Sequence, residues 1–504
     1  MSLVSRISPV AVAAVCVLAV PIAALEGQPG LHDPSTVIAE NGKYYVYATG
    51  SGLPMSISDD GWIWRRAGGV MQAVPGGKPG PDVIARGGNN TWAPDLIHLG
   101  DKYFLYYSAP GAQPKSAIGL LVGKTLDPQS PDFKWEDAGP VVWSDGVEDS
   151  NAIDPGVFHD PTNRTLWLTY GSYFGYIRLV ELNLKTGKRL YPDRKPVNVS
   201  INSEASIMIV RDGWYYLLVT HGSCCAGTNS SYNIRMGRAK KVTGPFLDNI
   251  GIDMLQGGGK LFLGSGGRYV GPGHFGLLDL GDGVQKFSCH YEADLDRGGI
   301  SVLDIRPLLW RDGWPVAGEN VKGGTYVIES ARTGTALELA VQGAPVGGLR
   351  GRGGRGGAGN ATAPPPAPIP AQDAAQVSSN WPQGPVDARM SPYLLQAQQQ
   401  WAIAPVANAG GYPGSPFFKI AIAGTDRTLA ATADRELIVL PAFTGAPEQL
   451  WRIDQLADGT YRLMPKAVPN LHEPLALSAV GSSMPTLARF DPQSDRQRWN
   501  VRTP

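Results

Sequence analysis

The sequence predicts an all-β protein whose larger part is a five-bladed β-propeller, and this prediction rests on internal repetition. A unit made of an apolar strand, a turn and an aromatic strand recurs in the N-terminal part. Five such units fill about 290 residues, at intervals of roughly 50 to 70 residues. Hairpins repeated at this interval favour radial blades over a sandwich. A second, shorter repeat near the C-terminus indicates another domain.

The composition is that of a globular protein rich in strands and turns. The chain has 504 residues, of which 17% are charged and 43% hydrophobic, and its formal net charge is zero. This length is sufficient for two or more domains, and zero net charge supplies no basic field for nucleic acid. The 64 glycines and 42 prolines favour short strands joined by turns. We expect a neutral partner and a monomer.

The N-terminus has the form of a secretory signal peptide. Arg6 is followed by the apolar run Val10 to Ala24, which ends in small residues. We therefore expect residues 1–25 to be removed and the mature chain to be secreted or periplasmic, without membrane attachment. A retained anchor is the alternative, although the apolar run is marginal for spanning a bilayer.

Each copy of the larger repeat opens with a short motif. The motifs are His32-Asp33-Pro34, Trp92-Ala93-Pro94, Ile153-Asp154-Pro155, Ser203-Glu204-Ala205 and Gly273-His274-Phe275. Because the first strand of each blade lines the propeller channel, we expect Asp33, Asp154 and Glu204, each at the key position of its repeat, to converge. Each acid alone is explained as a turn cap. Three converging acids reduce stability by mutual repulsion, so together they indicate catalysis.

Three converging carboxyl groups suit glycoside hydrolysis. One carboxylic acid protonates the leaving oxygen, and one carboxylate activates water or attacks the sugar. A third acid nearby can hold the pKa of the proton donor high. A carboxylate metal site is the weaker alternative, because hard cations usually take their ligands from a compact acidic loop and the sequence has no evident one.

Together the motifs resemble glycoside hydrolase family 43, and within it the endo-α-1,5-L-arabinanases. The residues that carry the resemblance are 32–35, 92–95, 103–108, 151–155, 204–205, 221–227 and 232–234. It extends over residues 26–318 and implies a five-bladed propeller with an inverting mechanism. Carried onto this sequence, it makes Asp33 the general base and Glu204 the general acid. Asp154 then raises the pKa of the acid and orients it.

The resemblance also implies roles for residues around the three acids. The expected substrate contacts are Trp92, Asn151, Phe174 and His274. His290 matches a histidine that faces a calcium ion in the channel of arabinanases, and His274 is the competing candidate for that role. A structural role is the alternative for each of these residues. Ser206 and Ala226 depart from the family pattern, which has Pro and a basic residue there, and both departures affect loops that shape the subsites.

The activity implied by the resemblance is cleavage of α-1,5-L-arabinofuranosidic bonds in arabinan. The partner is then plant cell-wall polysaccharide, namely arabinan or pectin side chains. The nearest alternative is an exo-acting α-L-arabinofuranosidase or β-xylosidase, which keeps the acids and differs in its loops. A non-catalytic carbohydrate-binding protein is the second alternative, and the intact Asp33, Asp154 and Glu204 argue against it.

Residues 319–504 form the second predicted domain. Three Gln-x-Trp units end at Trp401, Trp451 and Trp499, and they resemble the ricin-type β-trefoil, in which this motif is structural. The resemblance implies a carbohydrate-binding-like domain, with a spacer or stabilising role as the alternative. A Gly- and Pro-rich stretch at about 343–385 cannot bury a core, so we predict an insertion within this domain.

Three cysteines remain after the predicted leader. Cys224 and Cys225 are adjacent, and the sequence leaves open whether they form a disulfide or two buried thiols. Cys289 is then expected to be a lone, buried thiol.

Overall fold

The computed structural model describes residues 24–147, 149–341 and 374–504. Most of the predicted leader and of the predicted Gly- and Pro-rich insertion lies outside these residues. The described chain is all-β apart from the short helices Pro81–Arg86 and Ala374–Val377 and several single 3-10 turns. In these three ranges, no helix has the length and hydropathy needed to cross a bilayer.

Five sheets follow one another along the chain, and each keeps its four main strands in sequence order. Blade 1 contains Ile38–Glu40, Lys43–Tyr47, Pro54–Ser58 and Ile63–Gly69. Blade 2 contains Trp92–Leu99, Lys102–Pro110, Ser116–Gly123 and Trp135–Ser144. Blade 3 contains Gly156–Asp160, Thr165–Tyr170, Tyr176–Leu182 and Val197–Ile201. Blade 4 contains Glu204–Arg211, Trp214–His221, Asn233–Ala239 and Lys260–Leu263. Blade 5 contains Tyr269–Asp279, Gln285–Asp294, Ile300–Arg311 and Trp314–Ala317. The predicted five-bladed propeller is confirmed.

The segment that precedes blade 1 closes the ring. Its strand Glu26–Gly27 pairs in parallel with the outer strand of blade 1. A few residues later the chain pairs with blade 5, where the Leu303 N–H donates to the Pro29 carbonyl at 2.9 Å and Gly30 forms a bridge with Val302. The N-terminal segment therefore joins the first blade to the last.

The aromatic second strands supply the cores between blades because successive side chains point to opposite faces. In blade 1, Tyr45 and Tyr47 pack against blade 2. Val46, between them, packs against blade 5. Similar clusters lie at the other three blade junctions. Full burial of one such side chain stabilises the fold by about 1.5–3 kcal/mol.

The C-terminal part forms a second β unit built on one ten-stranded sheet. Its strands are Gly324–Ser330, Thr335–Leu339, Val386–Pro392, Trp401–Pro405, Phe418–Ile422, Thr428–Ala431, Leu437–Leu440, Trp451–Gln455, Tyr461–Pro465 and Trp499–Arg502. Two hairpins complete it, Gly411–Tyr412 with Ser415–Pro416 and Leu475–Val480 with Met484–Arg489.

The three Gln-x-Trp units make equivalent contacts in this second unit. The indole N–H groups of the buried Trp401, Trp451 and Trp499 donate to the carbonyls of Leu337, Leu429 and Leu477 at 2.8, 3.1 and 2.9 Å. The side-chain oxygens of Gln399, Gln449 and Gln497 accept the N–H groups of Leu394, Thr444 and Asp491, each at 2.8 Å. The sequence repeat is therefore a threefold structural repeat.

The two parts of the chain meet through buried charges. Lys286 of blade 5 places its Nζ 3.5 Å from Oδ1 of Asp454, and both side chains are almost fully buried. Next to them, Arg462 pairs with Asp282 of the propeller at 2.6 Å. Removing one partner of a buried pair typically costs about 3–5 kcal/mol, so this contact fastens the second unit to blade 5.

Candidate active site

The site is built on five residues with left-handed backbone, one at the inner edge of each blade. They are Asp33 (φ 48°), Ala93 (37°), Asp154 (55°), Ala205 (49°) and His274 (52°). A non-glycine residue in this region costs on the order of 1–3 kcal/mol, and such strain is concentrated at functional sites. The repeated motifs therefore encode a repeated, strained turn at the mouth of the channel.

The cross-strand register shows which motif residues are equivalent. Trp92 pairs with Ser108, Glu204 with Thr220, and Gly273 with His290. Glu204 therefore corresponds to Trp92 and Gly273, each of which precedes the left-handed residue of its blade. The prediction that the three acids occupy one equivalent position is wrong for Glu204. Ala205 takes that position in blade 4, and Glu204 reaches the channel from one residue earlier.

The left-handed residues are held by the preceding blade. The N–H groups of Ala93, Asp154 and His274 donate to the hydroxyls of Thr49, Ser108 and Thr220 at 2.8, 2.8 and 3.1 Å. The Asp33 N–H donates to Nδ1 of His290 at 3.3 Å, which closes the circle from blade 5 to blade 1. An equivalent hydrogen bond thus crosses four of the five blade junctions at the level of the predicted acids.

Blade 4 differs because glycine occupies the supporting position in blade 3. The Thr49 N–H donates to the His32 carbonyl, and the Gly171 N–H donates to the Ile153 carbonyl in the same way. Gly171 is thus the counterpart of Thr49 but has no side chain to accept a hydrogen bond. The Ala205 N–H instead donates to Oδ2 of Asp154 at 3.2 Å.

Asp33, Asp154 and Glu204 line one cavity of about 700 Å³. Trp92, Phe174 and His274 line it too, so three of the four predicted substrate contacts face the same space as the acids. Phe174 is 65% exposed. A cavity of this size is typical of a small-ligand site.

The surroundings of Asp33 favour its ionised form. Thr49 Oγ1 donates to Asp33 Oδ2 at 2.7 Å, and His274 Nδ1 lies 3.0 Å from Oδ1 as an ion pair without the alignment of a hydrogen bond. Burial alone raises the pKa of Asp33, but the charge of the neighbouring His274 outweighs it, and the pKa lies well below its usual range. Burial lowers the pKa of His274, yet Asp33 raises it to about 9.

The surroundings of Glu204 and Asp154 instead favour the protonated form of each carboxyl group. Tyr232 and Ser172 donate to the two oxygens of Glu204, the latter at 2.6 Å. Burial raises the pKa of Glu204 more than these hydrogen bonds lower it. Burial and the charge of Glu204 raise the pKa of Asp154 well above its usual value. The two carboxyl groups therefore titrate as a coupled pair that favours keeping a proton.

The structure places Asn151 outside the cavity wall. Its side chain is fully buried, where Oδ1 accepts from Ser116 Oγ at 3.0 Å and Nδ2 donates to Oε1 of Gln113 at 2.8 Å. Gln113 itself lines the cavity. Both ends of the Asn151 amide are engaged by protein groups in this arrangement, in which Asn151 supports Gln113. A direct substrate contact by Asn151 stays a prediction.

Several residues that line the cavity were given no role by sequence reasoning, among them Thr49, Gln113, Ser172 and Tyr232. A signal for Thr49 is present in the sequence, because a hydroxyl residue recurs at the end of the aromatic strand as Thr49, Ser108 and Thr220. Tyr232 and Ser172 carry no such signal, since they act on Glu204 from loops of blades 4 and 3.

The residues around His290 fit a divalent cation. Nitrogen and oxygen atoms of His32, Asp33 and His290 lie within 4.8 Å of one another. Glu292 adds a carboxylate oxygen 3.4 Å from His290 Nε2. Burial lowers the pKa of His290 to about 4, so its imidazole is neutral and able to ligate. Imidazole and carboxylate donors bind divalent metals.

Comparisons with known proteins agree with this geometry. The exo-α-(1→5)-L-arabinofuranosidase that Cellvibrio japonicus makes extracellularly is 33% identical over 325 residues, which cover 61% of this chain and 91% of that protein. The extracellular endo-α-(1→5)-L-arabinanase 1 of Bacillus subtilis is 33% identical over 293 residues, covering 56% and 87%. The structure of an exo-1,5-α-L-arabinanase from a bovine ruminal metagenomic library aligns with a TM-score of 0.52 and 34% identity, covering 58% of this chain and 100% of that one.

The family match covers the propeller. The sequence pattern of glycosyl hydrolases family 43 matches residues 28–315, which is more than half of the chain and includes all three acids. The protein is thus a glycoside hydrolase, and the chain belongs to glycosyl hydrolases family 43.

Proposed function

We propose that this protein is a secreted, inverting hydrolase that cleaves α-1,5-L-arabinofuranosidic bonds in arabinan. The observation that carries the proposal is the contrast between two acids in one cavity. The charge of His274 holds Asp33 ionised, whereas burial raises the pKa of Glu204 towards its protonated form. An ionised carboxylate and a carboxylic acid in one cavity are what glycoside hydrolysis requires, and the resemblance to family 43 supports the inverting mechanism. The arabinan-degrading relatives support this choice of substrate.

In the proposed reaction, Asp33 takes a proton from water as the water oxygen attacks the anomeric carbon. The bond to the leaving sugar breaks, and Glu204 gives its proton to the departing oxygen. Thr49 orients the base through its hydrogen bond to Oδ2. Asp154 raises the pKa of Glu204 by charge repulsion and fixes the adjacent Ala205 backbone.

We propose a calcium ion near His290, with His32 and Glu292 as further donors and Asp33 close by. When bound, the cation supplies positive charge in the channel and links blade 5 to the segment before blade 1. The two imidazoles and the Glu292 carboxylate of this cluster carry the proposal. Chelation of the purified protein is expected to lower its melting temperature, and added calcium to restore it. An unchanged melting temperature after chelation would contradict the proposed ion.

We assign residues 26–318 to the catalytic propeller and residues 319–504 to a ricin-type β-trefoil. The threefold contacts of Trp401, Trp451 and Trp499 support the trefoil assignment. Its proposed role is to hold the enzyme on plant cell-wall polysaccharide. The leader-like residues 1–25 and the extracellular relatives support secretion.

The substrate is tested by product analysis on linear arabinan, a xylan and aryl glycosides. We expect arabino-oligosaccharides of mixed length from arabinan and little release from xylan. Release of a single short product from chain ends would favour the exo-acting alternative, which relatives of equal identity also support. Absence of release from every substrate would overturn the proposed function. Glu204→Gln, assayed in parallel, controls for contaminating hydrolases.

A further inference from the structure

The loop that carries Cys224 and Cys225 forms part of the cavity wall. It follows the second strand of blade 4, Trp214–His221, and its residues 222–225 line the same cavity as Glu204. The two cysteines are joined by a disulfide. Cys224 is half-buried and Cys225 is exposed, so the disulfide lies at the surface of the cavity.

Three blades hold this loop in place. The Tyr173 hydroxyl of blade 3 donates to the Gly222 carbonyl at 2.6 Å and accepts the Gly222 N–H at 2.9 Å. Within blade 4, Ser230 Oγ donates to the Ser223 carbonyl at 2.8 Å. From blade 5, Glu292 Oε2 accepts the Cys225 N–H at 3.1 Å. The loop is therefore fixed at both ends and in the middle.

Loop-closure entropy does not explain the disulfide. A disulfide stabilises a fold mainly by closing a long loop in the unfolded chain, and the effect grows with loop length. These two cysteines are adjacent in sequence, so their bond closes almost no loop. What it does provide is a rigid pair of polarizable sulfur atoms on a loop already fixed by its neighbours.

We propose that the Cys224–Cys225 disulfide is a substrate-contacting subsite, whose sulfur atoms pack against the C–H face of a furanose ring. The proposal rests on the proposed function, because the ring belongs to a sugar unit of the arabinan chain. In a cavity that Trp92 and Phe174 also line, the disulfide supplies apolar surface without a flexible side chain. Rigid contacts of this kind improve binding because little freedom is lost when the ligand arrives.

Reduction of the folded enzyme tests the proposal without a mutation. Dithiothreitol supplies two electrons and two protons, the S–S bond becomes two thiols, and the reagent becomes its cyclic disulfide. In the described part of the chain the remaining cysteine, Cys289, is a buried free thiol, so the change is confined to the pair. A thiol titration and a melting curve confirm that two thiols appear in a folded protein.

We expect KM for linear arabinan to rise at least about fivefold on reduction, with kcat within about twofold, because a contact equal in ground and transition states affects only binding. The double variant Cys224→Ala/Cys225→Ala should show the same high KM and no response to dithiothreitol. Equal KM values for the oxidised and reduced enzymes would overturn the proposal. So would a fall in kcat at constant KM, which would indicate a positioning role through Glu292.

The experiment distinguishes failure of the proposed function from failure of the subsite proposal. If the oxidised wild-type enzyme does not cleave arabinan, the proposed function fails and the subsite proposal falls with it. If the oxidised enzyme cleaves arabinan and reduction leaves KM unchanged, the function stands and only the subsite proposal is overturned.

Discussion

The backbone N–H of Ala205 donates to Oδ2 of Asp154 at 3.2 Å. The Asp154 carboxyl group is thus coupled by charge to Glu204 and also fixes the residue that follows Glu204 in the chain. The arrangement depends on Gly171, whose position in blades 1 and 2 is taken by Thr49 and Ser108. Because Gly171 has no side chain to accept it, the Ala205 N–H donates to Asp154 instead. Blade 3 therefore departs from the repeat at the position where the proposed chemistry requires Asp154 to lie beside Glu204.

Replacing Asp154 by Asn separates these two roles. Asn keeps an oxygen that accepts the Ala205 N–H but removes the negative charge that raises the pKa of Glu204. A general acid is active while protonated, so the alkaline limb of the kcat/KM profile should move to lower pH. The measurement is the pH profile on arabino-oligosaccharides, with Asp154→Ala as the comparison that also loses the acceptor. An alkaline limb at the wild-type pH would contradict the role given to Asp154.

Replacing Glu204 by Gln removes the proposed proton donor with little change of shape. General acid catalysis contributes about 10²–10⁴-fold, so kcat on arabinan should fall by that order. An aryl glycoside with a good leaving group needs less protonation and should lose much less. Comparison of the two substrates is the measurement. Equal losses on both would show that Glu204 is not the proton donor.

Thr49 is expected to position the base. Its hydroxyl accepts the Ala93 N–H and donates to Asp33 Oδ2, so Thr49→Val loses both contacts at nearly constant volume. We expect kcat to fall roughly tenfold at unchanged KM. A buried donor left without a partner costs about 1–3 kcal/mol, so the unfolding free energy should fall too. Thr49→Ser keeps the hydroxyl and should restore both, and a Ser variant as poor as Val would contradict this role.

The ion pair between His274 and Asp33 predicts a pH dependence of stability. The pKa of His274 is raised from 6.5 to about 9 in the folded protein. The stabilisation of the folded protein by this ion pair is therefore fully present below the pKa of His274 in the unfolded chain. It is lost as pH rises through the folded-state pKa of about 9. The melting temperature of His274→Gln should lie furthest below that of the wild type near pH 6, and the difference should shrink by pH 9.5. A constant difference over this range would contradict the ion pair.

The blades could be predicted from the sequence because alternating aromatic strands determine both the hairpins and the faces that meet between them. Tyr45 and Tyr47 pack on one side and Val46 on the other, as period-two alternation requires. The convergence of Asp33, Asp154 and Glu204 on one cavity follows from the same repeat.

The shift of Glu204 could not be predicted. The bulge between Glu204 and Ile207 also occurs in blades 2 and 5, after Trp92 and Gly273. The left-handed residue of blade 4 is Ala205, and alanine does not favour that backbone, so the sequence does not show that the equivalent position lies one residue after Glu204. Asn151 illustrates a second limit. Whether its amide faces the cavity or the wall depends on Ser116 and Gln113, which lie more than thirty residues earlier in the chain.

The roles of Asp33 as base and Glu204 as acid are tested most directly by hydrolysis of arabino-oligosaccharides in the presence of methanol. If Asp33 activates water for direct displacement, no covalent glycosyl-enzyme forms for methanol to intercept with retention. We predict that proton NMR of the first turnovers shows β-configured arabinose ends and no methyl α-L-arabinofuranoside. Accumulation of that α-methyl glycoside would show retention and contradict the account.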